Sequence, residues 1–164
     1  MWLVLLLALN PALGRYAGTY RVVPLECDEI REVVERTVSR MNLFIRPIAR
    51  NRLLKTQILF PVITVTSNDS EFRIRHMHGT DIPHSDLSSA VKAKAPDGTN
   101  ITVRLQLGPP LVETYESADG KRENAYDLSA AGSKLTVHVR VTSPRLPHDI
   151  RYRLVYARTI ESQP

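Results

Sequence analysis

From Ser88 to Arg158 the chain alternates apolar and polar residues with a period of two, broken at short intervals by turn residues. Ile101, Val103, Leu105 and Leu107 share one side of Asn100–Leu107, with Thr102, Arg104 and Gln106 on the other; Leu135, Val137, Val139 and Val141 do the same in Lys134–Thr142. That alternation puts one face of each strand on a core. Turns are marked by Pro96-Asp-Gly98, Gly108-Pro-Pro110, Ala118-Asp-Gly120, Gly132-Ser133 and Ser143–Pro147. Strands are also predicted at Ile58–Thr66, Glu71–His78, Ser88–Ala95, Leu111–Ser117, Lys121–Ser129 and Asp149–Arg158, with Asp81–Asp86 as a Pro83-containing loop.

Ahead of this meander the period changes. Tyr16–Val23 reads as a strand ended by Pro24. Ile30, Val33, Val34, Val38, Met41 and Phe44 then recur at helical spacing within Glu26–Phe44, with acidic residues at the start and arginines at the end, as the helix dipole favours. Pro47 suits the first turn of a second helix, Pro47–Lys55. The expected order is one strand, a helix-turn-helix hairpin and eight more strands: a mainly β, antiparallel up-and-down barrel of one domain, residues 15–164.

Composition narrows the class without naming a reaction. At 43% hydrophobic and 24% charged, the chain is that of an ordinary globular domain. An excess of 22 Lys and Arg over 17 Asp and Glu is modest and points to anionic partners. The single cysteine, Cys27, rules out an internal disulfide framework and reads as structural. Met1–Ala8 is too short to span a bilayer but suits a secretory h-region, broken at Asn10-Pro11; residues 1–14 are read as a signal peptide and the product as secreted, into a bacterial periplasm.

The order of elements, Gly18-Thr-Tyr20 near the start, the hairpin from Leu111 to Glu123 and the closing Ile150–Tyr156 together resemble the calycin superfamily, the fatty-acid-binding-protein type more than true lipocalins. Gly18-x-Tyr20 is similar to the Gly-x-Trp signature of those barrels. The resemblance implies a ligand cavity inside the barrel, with the helical hairpin as a lid over its opening. Two departures stand against it. Such barrels have ten strands where nine are read here, and their last strand carries Arg-x-Tyr on the lumen face, whereas here neither Arg151 nor Arg153 shares a face with Tyr152 or Tyr156. Fatty-acid recognition is therefore not carried over.

Tyr152, Leu154 and Tyr156 on the last strand, with Tyr20 and Phe72, are the candidate ligand-lining residues: rings with hydroxyl handles suit a lipophilic molecule with a polar end, or else simply fill a packed core. His76 and His78 lie on one strand face about 7 Å apart, a spacing that suits zinc if His84 or His138 supplies a third ligand, or haem on one histidine. Arg36, Arg40, Arg46 and Arg50, interleaved with apolar residues, make the hairpin a candidate surface for anionic membranes. No nucleic-acid motif and no recognised catalytic motif occurs. The reading is non-covalent binding of a small lipophilic ligand. The alternative is a structural or interaction barrel with a packed lumen, and a metal- or haem-dependent activity centred on His76 comes third.

Overall fold

The computed structural model describes residues 11–68, 71–77, 82–84, 89–95 and 98–159, with residues 11, 12 and 82–84 described by their backbone alone. Helix α1 is a single turn, Pro11–Gly14, followed by β1 (Gly18–Val22), a 3-10 turn at Pro24–Glu26, α2 (Ile30–Val38) and α3 (Arg46–Thr56). The remaining strands are β2 (Val62–Ser67), β3 (Phe72–His76), β4 (Ile82–His84), β5 (Val91–Lys94), β6 (Asn100–Gln106), β7 (Leu111–Ser117), β8 (Gly120–Leu128), β9 (Lys134–Thr142) and β10 (Ile150–Arg158).

All ten strands form one antiparallel sheet in the order β4-β3-β2-β1-β10-β9-β8-β7-β6-β5. Consecutive strands are hydrogen-bonded neighbours except β4 and β5, and β1 also pairs with β10, which rolls the meander up on itself. The two edges, β4 and β5, carry no ladder between them, but their Cα atoms come within 8 Å. Strand β4 is the one sequence reasoning read as loop. Pro83 lacks an N–H to donate, and an edge strand, pairing on one side with Arg73 of β3, is where a sheet tolerates it.

Helix α2 buries Val33, Val34, Thr37 and Val38, but it stops six residues short of the predicted end at Phe44. The reason is local. Arg46 turns back to donate to Met41 O (2.9 Å) and Ser39 O (2.6 Å), and Asn42 Oδ1 accepts from Phe44 N–H (3.0 Å). These bonds satisfy groups that a continuing helix would use. Phe44, expected on the buried stripe, is 90% exposed as a result.

The base of α2 is clamped to the sheet. Asp28 N–H donates to Arg153 O (2.9 Å) while Asp28 Oδ2 accepts from Arg153 N–H (2.7 Å), and Cys27 Sγ accepts from Val155 N–H (3.2 Å). Cys27 is thus a structural thiol. At the other end of the barrel Arg158 stacks over the Tyr20 ring (5.0 Å) and donates to Ala17 O (3.0 Å) and Arg15 O (2.7 Å), tying the residues before β1 to the last strand. Of the segment read as a leader, residues 1–10 lie outside the described residues; Leu13 packs into the main core.

Candidate functional site

The barrel has a solid half and an open half. Toward the α1 end, the lumen is filled by Tyr20, Phe72, Leu111, Leu135 and Tyr156, each 0–1% exposed, so no space large enough for water touches them. The sequence-predicted ligand residues all point inward as their strand periodicity requires. Tyr152, Leu154, Tyr156, Tyr20 and Phe72 are all buried in the barrel core, Tyr152 nearest the open end, and none of them is among the residues lining the cavity beneath α3.

The cavity lies at the opposite end, beneath α3, with a volume of about 630 Å³. Ile45, Ile48, Ala49 and Leu53 wall it on the helical side, Ile101 on β6 and Val141 on β9 on the sheet side. Its polar lining comes from Gln57, Tyr115 and Arg122 below, and from Arg52, Asp119, Lys121 and Arg145 at the rim. Asp119 joins the two sides, since its carboxylate accepts from Arg52 of α3 (2.9 Å) and pairs with Arg145 of the β9–β10 loop (3.0 Å).

Three inward rows build the floor. On β7 the row is Leu111, Glu113, Tyr115; on β8 it is Tyr126, Asn124, Arg122, paired across the ladder in that order. Both rows run from apolar at the solid end to polar at the cavity. The third row is Phe72, Ile74, His76 on β3, the opposite wall, with four strands between β3 and β8 in the sheet order. Tyr126 OH donates to Glu113 Oε2 (2.7 Å) and lies 3.3 Å from His76 Nε2, so a hydrogen-bonded bridge crosses the lumen from wall to wall. With the Tyr126 hydroxyl proton directed at the carboxylate, the Tyr126 oxygen is free to accept from His76 Nε2. His76 Nδ1 is buried and without a hydrogen-bond partner, and the ring packs on Phe60 at 5.0 Å.

Above the bridge, Asn124 Nδ2 reaches Tyr126 OH (3.4 Å), Arg122 Nε donates to Asn124 Oδ1 (3.0 Å), and Arg122 Nη1 meets Thr56 O (3.4 Å) at the end of α3. Tyr152 OH donates to Gln57 Oε1 (3.0 Å). Burial, followed by the charge of Glu113, holds both Tyr115 and Tyr126 well above the usual phenol range. Glu113 itself is 1% exposed, a carboxylate inside the barrel that accepts from the Tyr126 hydroxyl. Arg122 makes no ion pair among the described residues; it is a cation at the bottom of a mostly apolar cavity.

His78 lies outside the described residues, and of His84 only the backbone is described. His138 is exposed on the outer face of β9, whereas His76 points into the barrel, so those two cannot share a metal. Among the described residues no group of three His, Cys, Asp or Glu is placed to hold a metal ion.

Sequence reasoning missed Glu113, Asn124, Tyr126, Tyr115 and Arg122 as a group. The signal was present: strand alternation puts Glu113 on the face of Leu111, and Arg122 on the face of Tyr126 and Leu128. A charge on an inward face marks a polar interior.

No family model matches the chain, and no curated protein matches it. Among solved structures it is similar to a fatty-acid-binding protein 1 of Echinococcus granulosus, with a TM-score of 0.59 and 12% identity over 90% of this chain and 99% of that one. It is similar to a Schistosoma mansoni fatty-acid-binding protein in complex with arachidonic acid, with a TM-score of 0.55 and 12% identity over 90% and 98%. It is also similar to the fluorescent protein UnaG, with a TM-score of 0.55 and 13% identity over 90% and 99%. Likeness at such identities shows the fold alone, a calycin-like antiparallel barrel, and the structure has one strand more, β4, than the nine read from the sequence.

Proposed function

We propose that the protein binds a small lipophilic molecule with an anionic end, held non-covalently in the cavity beneath α3. The anionic end lies against Arg122, with Gln57 and Tyr115 beside it, and the apolar body lies against Ile45, Ile48, Leu53, Ile101 and Val141. The observation that carries this reading is Arg122, a half-buried cation without a carboxylate partner among the described residues, at the floor of an apolar hollow of about 630 Å³. A desolvated charge is costly unless paired, and a ligand anion would supply the pair. The volume falls within the ordinary range for small-molecule sites, about 300–1,000 Å³. The similar structures named for fatty-acid binding agree with this class of ligand. A packed interaction barrel accounts for the solid half of the lumen but leaves the cavity and its cation without a role.

The test is titration of the purified protein with a fluorescent alkyl carboxylate and with the matching uncharged alcohol. Binding is expected at one site, and Arg122→Met is expected to weaken the carboxylate by about 10- to 100-fold, the worth of a charged hydrogen bond, while leaving the alcohol nearly unchanged. No saturable binding of either probe would overturn the reading.

The partner surface belongs to the same proposal: the α2–α3 hairpin docks on anionic lipid, bringing the cavity mouth to the bilayer. Phe44 and Leu43, at the tip, are 90% and 69% exposed. Of the four arginines expected there, Arg36 and Arg40 are exposed and Arg46 is held by backbone carbonyls, whereas Arg50 is already spent on a two-pronged pair with Glu35 (2.6 and 2.7 Å).

A further inference from the structure

The hydrogen-bonded bridge divides the lumen into a cavity above and a solid core below, and that division has a consequence for what the site accepts. Resting on the ligand-binding reading above, we infer that His76, Tyr126 and Glu113 form a crossbar that sets the depth of the site and so selects ligands by length. The polar end of a bound molecule rests on the crossbar side, at Arg122, Tyr115 and Gln57, and its apolar part runs upward between α3 and the strand ends. The lower lumen takes no part.

Four observations converge. His76 on β3 and Tyr126 on β8 stand on opposite walls, yet their side chains meet at 3.3 Å, so the barrel is spanned at that level. Glu113 closes the triangle, 2.7 Å from Tyr126 OH and 3.8 Å from His76 Nε2. Beneath them Phe72, Ile74, Leu111 and Leu135 are 0–1% exposed, leaving no room for a chain. Above them the lining turns to Tyr115, Arg122 and Gln57 and the volume opens. A buried network of this kind is less stabilising than apolar packing of the same volume unless every member is satisfied, and here Nδ1 of His76 is not. Such a concession inside an otherwise apolar barrel is expected where the residues serve the site rather than the fold.

The crossbar makes a prediction that a continuous lumen does not. Each methylene buried is worth about 0.8 kcal/mol, close to a fourfold gain in affinity. In a homologous series of linear carboxylates from hexanoate to octadecanoate, read by displacement of a fluorescent probe from the full chain, affinity climbs about fourfold per carbon. It then levels off once the tail leaves the mouth. His76→Ala removes one arm and opens space below, so the break moves to longer chains. An unchanged rise through octadecanoate in the wild-type protein would overturn the crossbar while leaving the ligand reading intact; no binding by any member would remove both.

A second measurement needs no variant. In ¹H–¹³C aromatic spectra, saturating decanoate shifts the signals of His76, Tyr115 and Tyr126 and leaves Phe72, Tyr20 and Tyr156 in place. Shifts of Phe72 or Tyr20 as large as those of Tyr115 would show a ligand below the crossbar and end the inference.

Discussion

At the scale of single residues, this barrel is a set of tyrosines held away from water. The chain has six, and burial raises the ionisation of Tyr20, Tyr115, Tyr126, Tyr152 and Tyr156 above the ordinary phenol value. Arg158 partly offsets burial at Tyr20, while Glu113 adds to it at Tyr115 and Tyr126. The sign follows from linkage. A phenol whose folded value is raised keeps its proton when the unfolded chain has already lost its own. The stability these five contribute is complete below about pH 10, where the unfolded chain begins to titrate, and drains as pH rises toward the folded values. Absorbance at 295 nm should therefore stay nearly flat for the five through pH 10 to 11 and then rise with unfolding, while the urea midpoint holds from pH 8 to 9.5 and falls by pH 11. Gradual titration of all the tyrosines near pH 10 in a still-folded protein would contradict their burial. The inward direction of these rings was legible from strand alternation. What alternation could not tell was whether an inward residue meets ligand or core, because both lie on the same face.

Among the elements, α3 stands apart. It buries no residue of its own and packs chiefly on α2, to which the Glu35–Arg50 pair joins it. It reaches the barrel through one partly buried apolar residue, Leu53, which packs against the core, and through polar contacts across the cavity, Arg52 to Asp119 and Thr56 O to Arg122. Exposed ion pairs of this kind contribute little, about 0–1 kcal/mol each. Low local stability is what a lid requires, and elements with few buried apolar contacts open first. Hydrogen exchange should therefore show amides of Ala49–Gln57 exchanging orders of magnitude faster than those of β8, β9 and β10, and slowing when a carboxylate ligand is bound. Equal protection of α3 and β9 without ligand would rule out a loosely held lid. The existence of this hairpin and of nine strands could be read from periodicity and turn residues. Its shape could not, because α2 is ended by the Arg46 side chain, folding back from seven residues downstream of Ser39, and β4 is a three-residue edge whose Pro83 argues for a loop.

For the molecule as a whole, the decisive feature is where its charge resides. Between Arg36 and Asn68 lie six of the 22 basic residues and none of the 17 acidic ones, so the rest of the chain is close to neutral, with 16 bases against 17 acids. The net charge of +5 is in effect a property of the hairpin and the connection after it. That stretch also carries the exposed apolar tip, Leu43, Phe44, Ile45 and Ile48, the last two of which line the cavity as well. Cations around an apolar tip are what an anionic bilayer surface binds: each basic residue near it is worth about 1 kcal/mol, and an inserted aromatic ring about 1.5–3 kcal/mol. On the proposed docking, Ile45 and Ile48 are the apolar residues a lipophilic ligand would pass between bilayer and cavity. Sedimentation with vesicles containing one-third phosphatidylglycerol should recover the protein, and with pure phosphatidylcholine should not. Phe44→Asp is expected to weaken recovery at least tenfold, Arg36→Gln with Arg40→Gln by about 25-fold together, and molar salt to weaken it sharply, since screening shortens the reach of surface charge to about 3 Å. Equal recovery on neutral vesicles would make the contact merely hydrophobic, and no recovery on either would leave the tip without a membrane role. Because Phe44 and Arg40 lie outside the cavity lining, ligand affinity in solution should survive these changes, which separates docking from binding.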